Sequence, residues 1–308
     1  MFYFAGVVQR QNLNIFEMTF RKDSSKFVKH RVGWETNRYT VFDIADGILE
    51  PELDSIHEYA QLSHNVYEKA SYSDDWEAAK DRIRIPNWVQ LEDLPEYPQA
   101  PEGVKIIPGL YYEVWRKEQL DNKVIYALVF RGTEDGIDWR ANLRWFTTKL
   151  FPRWWDQYHQ VQFFIDQLIH DLEERSKTEG NECEIVSTGH SLGGGLAQLT
   201  AYASSRINRV FAFHPSPVTG FYDIPLTKRT ENKRDTEVFR IYEQGEFLAY
   251  VRNFMLLLYP APKFETKHPR FVQVGYNLLG HRGIASQHSM KRFAKWLTYI
   301  KERKVVDS

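Results

Sequence analysis

The stretch Cys183 to Gly195, CEIVSTGHSLGGG, decides how the rest of the chain is read. Cys183 to Thr188 alternates in the manner of a strand. Gly189-His190-Ser191-Leu192-Gly193 follows as a G-x-S-x-G pentapeptide, and Leu192 to Arg206 continues with helical composition. A serine placed on a tight turn between strand and helix is the arrangement of an exposed nucleophile. Glycines are needed on both sides because a Cβ there would collide with neighbouring backbone. The same turn points the Leu192 N–H, at the start of the helix, toward any oxyanion formed on a carbon attached to Ser191. Ser191 is therefore the candidate nucleophile and Leu192 a candidate oxyanion donor.

Outward from this segment, strands and helices alternate. Lys123 to Phe130 (KVIYALVF) is apolar enough for a strand buried on both faces, and it pairs naturally with Tyr111 to Trp115. Gln157 to Arg175 places Tyr158, Val161, Phe164, Ile165, Leu168 and Leu172 on one helical stripe. Arg209 to Phe213, Glu237 to Tyr242 and Phe271 to Gly275 read as further strands, and Ser289 to Lys301 as a last helix. This order predicts an α/β fold with a mainly parallel central sheet covered by helices on both faces. Leu53 to Lys69 is a helix with Asp54 at its start, whereas the preceding residues carry short strand patterns at Leu13 to Phe20, Phe27 to Val32 and Tyr39 to Ile44. The expected division is an N-terminal β-rich accessory segment, 1–52, and an α/β-hydrolase-like domain, 53–308. Prolines at 95, 98, 101 and 108 mark a surface connection, and the charged run Thr227 to Asp235 reads as a solvated loop.

Composition narrows the function. Forty basic and 41 acidic residues leave a formal charge of -1, so nothing favours nucleic acid as a partner. Cys183 is the single cysteine, which excludes an intrachain disulfide. The opening MFYFAGVV lacks a basic leader, and no 18-residue apolar stretch occurs, so a soluble, cytoplasmic protein is expected. Trp139, Trp145, Phe146, Phe151, Trp154 and Trp155 cluster among basic residues. Such rings suit transient contact with a lipid surface, or packing beneath catalytic loops.

A serine hydroxyl needs an imidazole base, and the imidazole needs an acid that fixes its tautomer. In α/β-hydrolases these follow the serine in the order acid, then histidine. Glu243 and Glu246 lie just past the Glu237 to Tyr242 strand, and His281 and His288 precede the last helix. His190, inside the pentapeptide, reads as packing beside the nucleophile. The remaining histidines show no metal-ligand spacing, and no metal or cofactor is expected.

Several segments together resemble the class 3 lipases, the fungal triacylglycerol lipase group. They are Gly189-His190-Ser191-Leu192-Gly193-Gly194, Phe130-Arg131-Gly132-Thr133 with Asp138-Trp139 and Asn142-Leu143, Ser216-Pro217-Val218-Thr219-Gly220, and the helix Ala60-Gln61-Leu62-Ser63 to Tyr67. The resemblance implies an α/β-hydrolase domain acting on carboxylic esters of lipids. It further implies Ser191 as nucleophile, His288 as base, Glu246 as acid, and Thr133 beside Leu192 in the oxyanion hole. It places a lid in the Asp138 to Trp155 region.

Three departures are visible. A glutamate replaces the family's aspartate, Phe213-His214-Pro215-Ser216-Pro217 replaces F-G-x-P, and the first 50 residues match nothing in the pattern. These keep two rivals in view: a lipase-fold binding or regulatory protein with a vestigial triad, and a hydrolase of thioesters or other acyl substrates.

Overall fold

The computed structural model describes residues 27–32, 40–43, 52–67, 82–132, 154–243, 246, 270–278 and 288–307. Eleven strands occur in these residues. They are β1 (Phe27–Val32), β2 (Thr40–Asp43), β3 (Trp88–Gln90), β4 (Lys105–Ile106), β5 (Tyr112–Glu118), β6 (Lys123–Phe130), β7 (Trp154–Trp155), β8 (Glu182–His190), β9 (Ile207–Phe213), β10 (Glu237–Glu243) and β11 (Arg270–Tyr276). The α-helices are α1 (Leu53–Asn65), α2 (Gln157–Thr178), α3 (Leu192–Ala203), α4 (Leu226–Asn232) and α5 (Met290–Asp307).

Nine strands form one sheet in the order β2-β1-β11-β10-β9-β8-β6-β5-β3. The central run β6, β8, β9, β10, β11 is parallel, and β5, β3, β1 and β2 add antiparallel edges. This is the mainly parallel α/β-hydrolase-type sheet expected from the alternation of elements. The N-terminal strands join the same sheet, β1 pairing Val28 with Tyr276 of β11.

Period-two alternation sorts each central strand between two cores. Ala127 and Val129 of β6, Phe211 and Phe213 of β9, and Val272 and Val274 of β11 face the side covered by α1 and α5. Val124, Tyr126, Leu128 and Phe130, with Val210 and Ala212, face α2 and α3. Asp156 starts α2 by accepting from the His159 N–H at 3.0 Å, and its carboxylate is the usual N-cap chemistry. The α3 helix is buried along nearly its whole length, which explains its run of Gly and Ala.

Some boundaries shift. The helix expected to reach Arg206 stops at Ala203 because Ser204 turns extended, at φ -138° and ψ 132°. The run Thr227 to Asp235 is not a loop: it forms most of α4 and a 3-10 turn, Lys233–Asp235. Pro225 precedes that helix with its φ already helix-compatible, and Asn232 anchors the far end by donating to the Tyr202 carbonyl at 2.9 Å. The short β3 escaped sequence reading because three residues carry no measurable period. Leu13 to Phe20 lies outside the described residues.

The contact between α1 and α5 has a pH dependence built in. Thr298 Oγ1 donates to the Ala294 carbonyl, so it accepts from His57 Nε2 at 3.1 Å and Gln61 Nε2 at 3.3 Å. His57 is thereby fixed as the Nε2–H tautomer, and its buried Nδ1 has no hydrogen-bond partner among the described residues. Burial first, and the Lys301 ammonium second, lower its pKa from 6.5 to about 4. Between those values the unfolded chain binds more protons than the folded one, so stability falls as pH drops from 6.5 toward 4. Melting temperatures measured across this window are expected to fall more steeply for the wild type than for His57→Gln, which keeps a donor for Thr298 and cannot titrate. Parallel curves would show that His57 is not the sensor.

Candidate active site

Ser191, Glu246 and residues of the motifs around them gather where the parallel strands end. Gly132 follows β6, Ser191 follows β8, His214 follows β9, and Glu246 lies three residues past β10. Ligands of open α/β sheets bind in this crevice, beyond the carboxyl ends of the strands.

Ser191 sits at φ 58° and ψ -121°, a conformation that costs a non-glycine residue on the order of 1–3 kcal/mol. Surrounding backbone holds it there. The Ser191 N–H donates to Phe213 O at 3.0 Å, and its carbonyl accepts from Gly195 N at 3.2 Å and Ser216 N at 2.9 Å. Gly193 is obligatory for packing, since a Cβ there would run into the carbonyl oxygen of Phe130 on the adjacent strand. Ser191 thus occupies the N-cap position of α3, with Leu192 as the first helical residue.

His288 Nδ1 lies 3.2 Å from Glu246 Oε2, and the glutamate side chain is wholly buried. Glu243, the alternative acid, is also buried but accepts from Leu278 N at 2.8 Å. It ties the end of β10 to the residue region just past β11. The His288 ring stands 4.6 Å from that of His190, the residue before Ser191. Thr133, His281 and the segment 138–153, which includes most of the expected lid, lie outside the described residues. Of the lid region, Trp154–Trp155 forms β7 and pairs in parallel with β4. The Trp155 ring packs against His159 and Phe163 of α2, with centroids at 5.8 and 5.5 Å.

The substitution of F-G-x-P by Phe213-His214-Pro215 has a local explanation. His214 takes the left-handed φ of 42° where a glycine would be unstrained. Its Nε2 accepts from the Glu243 N–H at 3.0 Å, and its own N–H donates to Ile241 O at 2.7 Å. The sequence departs from the family pattern here but carries no signal that His214 belongs beside the site. His190, His214 and His288 bring ring nitrogens within 4.8 Å of one another. A metal ion bound to all three would have to displace a partner of His190, whose two ring nitrogens are both bonded to protein.

Arg131 precedes the site at the end of β6. Its N–H donates to Tyr111 O, and its guanidinium stacks on the Tyr111 ring at 4.6 Å.

Against this geometry, the model of the phospholipase-like family described as the Tle-like phospholipase domain matches residues 58–261, about two thirds of the chain. The chain belongs to the Tle-like phospholipase domain family. The matched range of the Tle-like domain runs from within α1 to beyond β10 and so takes in Ser191, Leu192, Thr133 and Glu246, while His288 falls after it. The lipase-like kinship expected from the motifs is met at this level. Among solved structures, the Tle-like chain is similar to the Lip2 lipase from Yarrowia lipolytica, with 16% identity over 67% of this chain and 75% of that one and a TM-score of 0.42. It is similar also to lipase II from Rhizopus niveus, with 15% identity over 66% and 76% and a TM-score of 0.40. No curated protein matches the chain. No helix among the described residues is long and apolar enough to cross a membrane.

Proposed function

We propose that the chain is a serine esterase that cleaves carboxylic esters of lipids, of lipase or phospholipase A type, through a Ser191-His288-Glu246 triad and an acyl-enzyme. The observation that carries this reading is the strained Ser191 at the head of α3 with the buried Glu246–His288 pair in the same strand-end crevice.

In this reading Glu246 accepts the His288 Nδ1–H, which leaves Nε2 with its lone pair for the Ser191 proton. Ser191 Oγ attacks the ester carbonyl while the proton passes to Nε2. The Leu192 and Thr133 N–H groups hold the tetrahedral oxyanion. Collapse breaks the bond to the alcohol, which leaves with the proton from His288. Water then attacks the acyl-enzyme by the same route in reverse, releasing the fatty acid, and no cofactor enters the cycle. The family's phospholipase-like character favours a phospholipid over a triacylglycerol.

The direct test is product analysis by mass spectrometry after incubation with phosphatidylcholine vesicles and, separately, a triacylglycerol emulsion. Free fatty acid with lysophospholipid is the expected result. Intact phospholipid in the first sample and intact triacylglycerol in the second would refute the lipid-esterase assignment.

A further inference from the structure

Three hydrogen bonds outside the proposed triad join its separate parts. Tyr67, two residues past the end of α1, places its Oη 3.0 Å from the Gly132 N–H and 2.8 Å from His190 Nδ1. His190 Nε2 lies 2.9 Å from the backbone carbonyl of His288. The direction of every proton follows from the partners. A carbonyl can only accept, so His190 Nε2 carries a hydrogen and donates it to His288 O. Burial, and then the neighbouring His288 and His214 rings, hold the His190 pKa well below 6.5, so the ring is neutral and Nδ1 is an acceptor.

Tyr67 therefore donates to Nδ1. Its second contact, with His190 O at 3.4 Å, is the weaker use of its one hydrogen. Burial raises the Tyr67 pKa far above its ordinary value, so the hydroxyl stays protonated. The chain of donors is Gly132 N–H to Tyr67 Oη, Tyr67 O–H to His190 Nδ1, and His190 Nε2–H to His288 O.

Each link of this chain adjoins a part of the proposed site. Gly132 is the residue before Thr133, His190 the residue before Ser191, and the His288 carbonyl belongs to the proposed base itself. Close approach at the first joint requires glycine, because a Cβ on Gly132 would meet Tyr67 Oη and stand 2.6 Å from His190 O. We propose that Tyr67 and His190 are positioning residues that set the Gly132 backbone and the His288 backbone against the Ser191 turn. The proposal rests on the esterase reading above. It assigns these two residues no proton transfer with substrate; they act through Thr133, Ser191 and His288.

Tyr67→Phe keeps the ring and leaves the Gly132 N–H without its acceptor. On a short soluble ester, kcat is expected to fall about tenfold, equal to about 1.4 kcal/mol in the barrier, with KM held within about twofold. His190→Gln, whose amide offers one donor and one acceptor, is expected to retain more kcat than His190→Leu, of similar volume. Nitrogen-15 NMR of the wild type should show His190 as the neutral Nε2–H tautomer, a reading that does not depend on how well any variant folds. Full kcat in Tyr67→Phe, equal kcat in the two His190 variants, or a proton on His190 Nδ1 would overturn the positioning role while the esterase stands. A folded wild type with no turnover on any ester would overturn the esterase reading and this proposal with it.

Discussion

Ser191→Ala is expected to lower ester turnover by about 10⁴-fold or more, because a nucleophile and its base act as a unit. The backbone bonds that shape the turn, from Ser191 N to Phe213 O and from Gly195 N and Ser216 N to Ser191 O, do not involve the hydroxyl. The variant should therefore keep its melting temperature and its lipid binding, and lose only chemistry. A fluorophosphonate probe should label the wild type at Ser191 and leave the variant unmodified. Undiminished hydrolysis by the alanine form, or labelling of a different serine, would end the assignment.

Glu246→Gln is expected to cost about 10³- to 10⁴-fold in kcat, the loss that follows when an orienting carboxylate becomes an amide and the imidazole is held in the wrong tautomer. The 3.2 Å contact between Glu246 Oε2 and His288 Nδ1 is the basis. Glu243→Gln is the control. Its amide oxygen can still accept from Leu278 N, now bonded to the carboxylate at 2.8 Å, so kcat should change by less than about tenfold and the main effect should be on stability. The reverse order of effects would place Glu243 at the imidazole and remove Glu246 from the triad. The extra methylene that separates glutamate from the family's aspartate makes this comparison informative, since a displacement of about 1 Å can cost on the order of 100-fold in rate.

Where periodicity is strong the sequence already carried the fold. KVIYALVF became β6 residue for residue, and the Gln157 stripe became α2 with three more residues at its end. The Ser191 turn was legible because glycine spacing, strand and helix all agree there. The charged run after Leu226 misled, because charge on a short helix exposed to solvent resembles charge on a loop. His190 was read as a packing residue, and Tyr67 only as the end of a helix. Their hydrogen bonds cross 123 residues of sequence, and no spacing rule reaches that far. His214 hid for a similar reason: its acceptor role depends on Glu243, 29 residues away.

The place of β11 in the sheet carries a consequence for biosynthesis. It lies between β10 and β1, with Val28 opposite Tyr276, and His57 of α1 meets Thr298 across 241 residues. β1 and β2 thus have no partner on that side until β11, far along the sequence, has been made, and only then can α5 cover the face that α1 leaves open. High separation between paired segments slows folding and lengthens the time that unpaired strand edges are exposed. Removal of β11 should accordingly free the β1–β2 edge of the sheet while the β3–β5 edge stays paired to β6, so that β1 and β2 depend for their order on a segment far along the sequence.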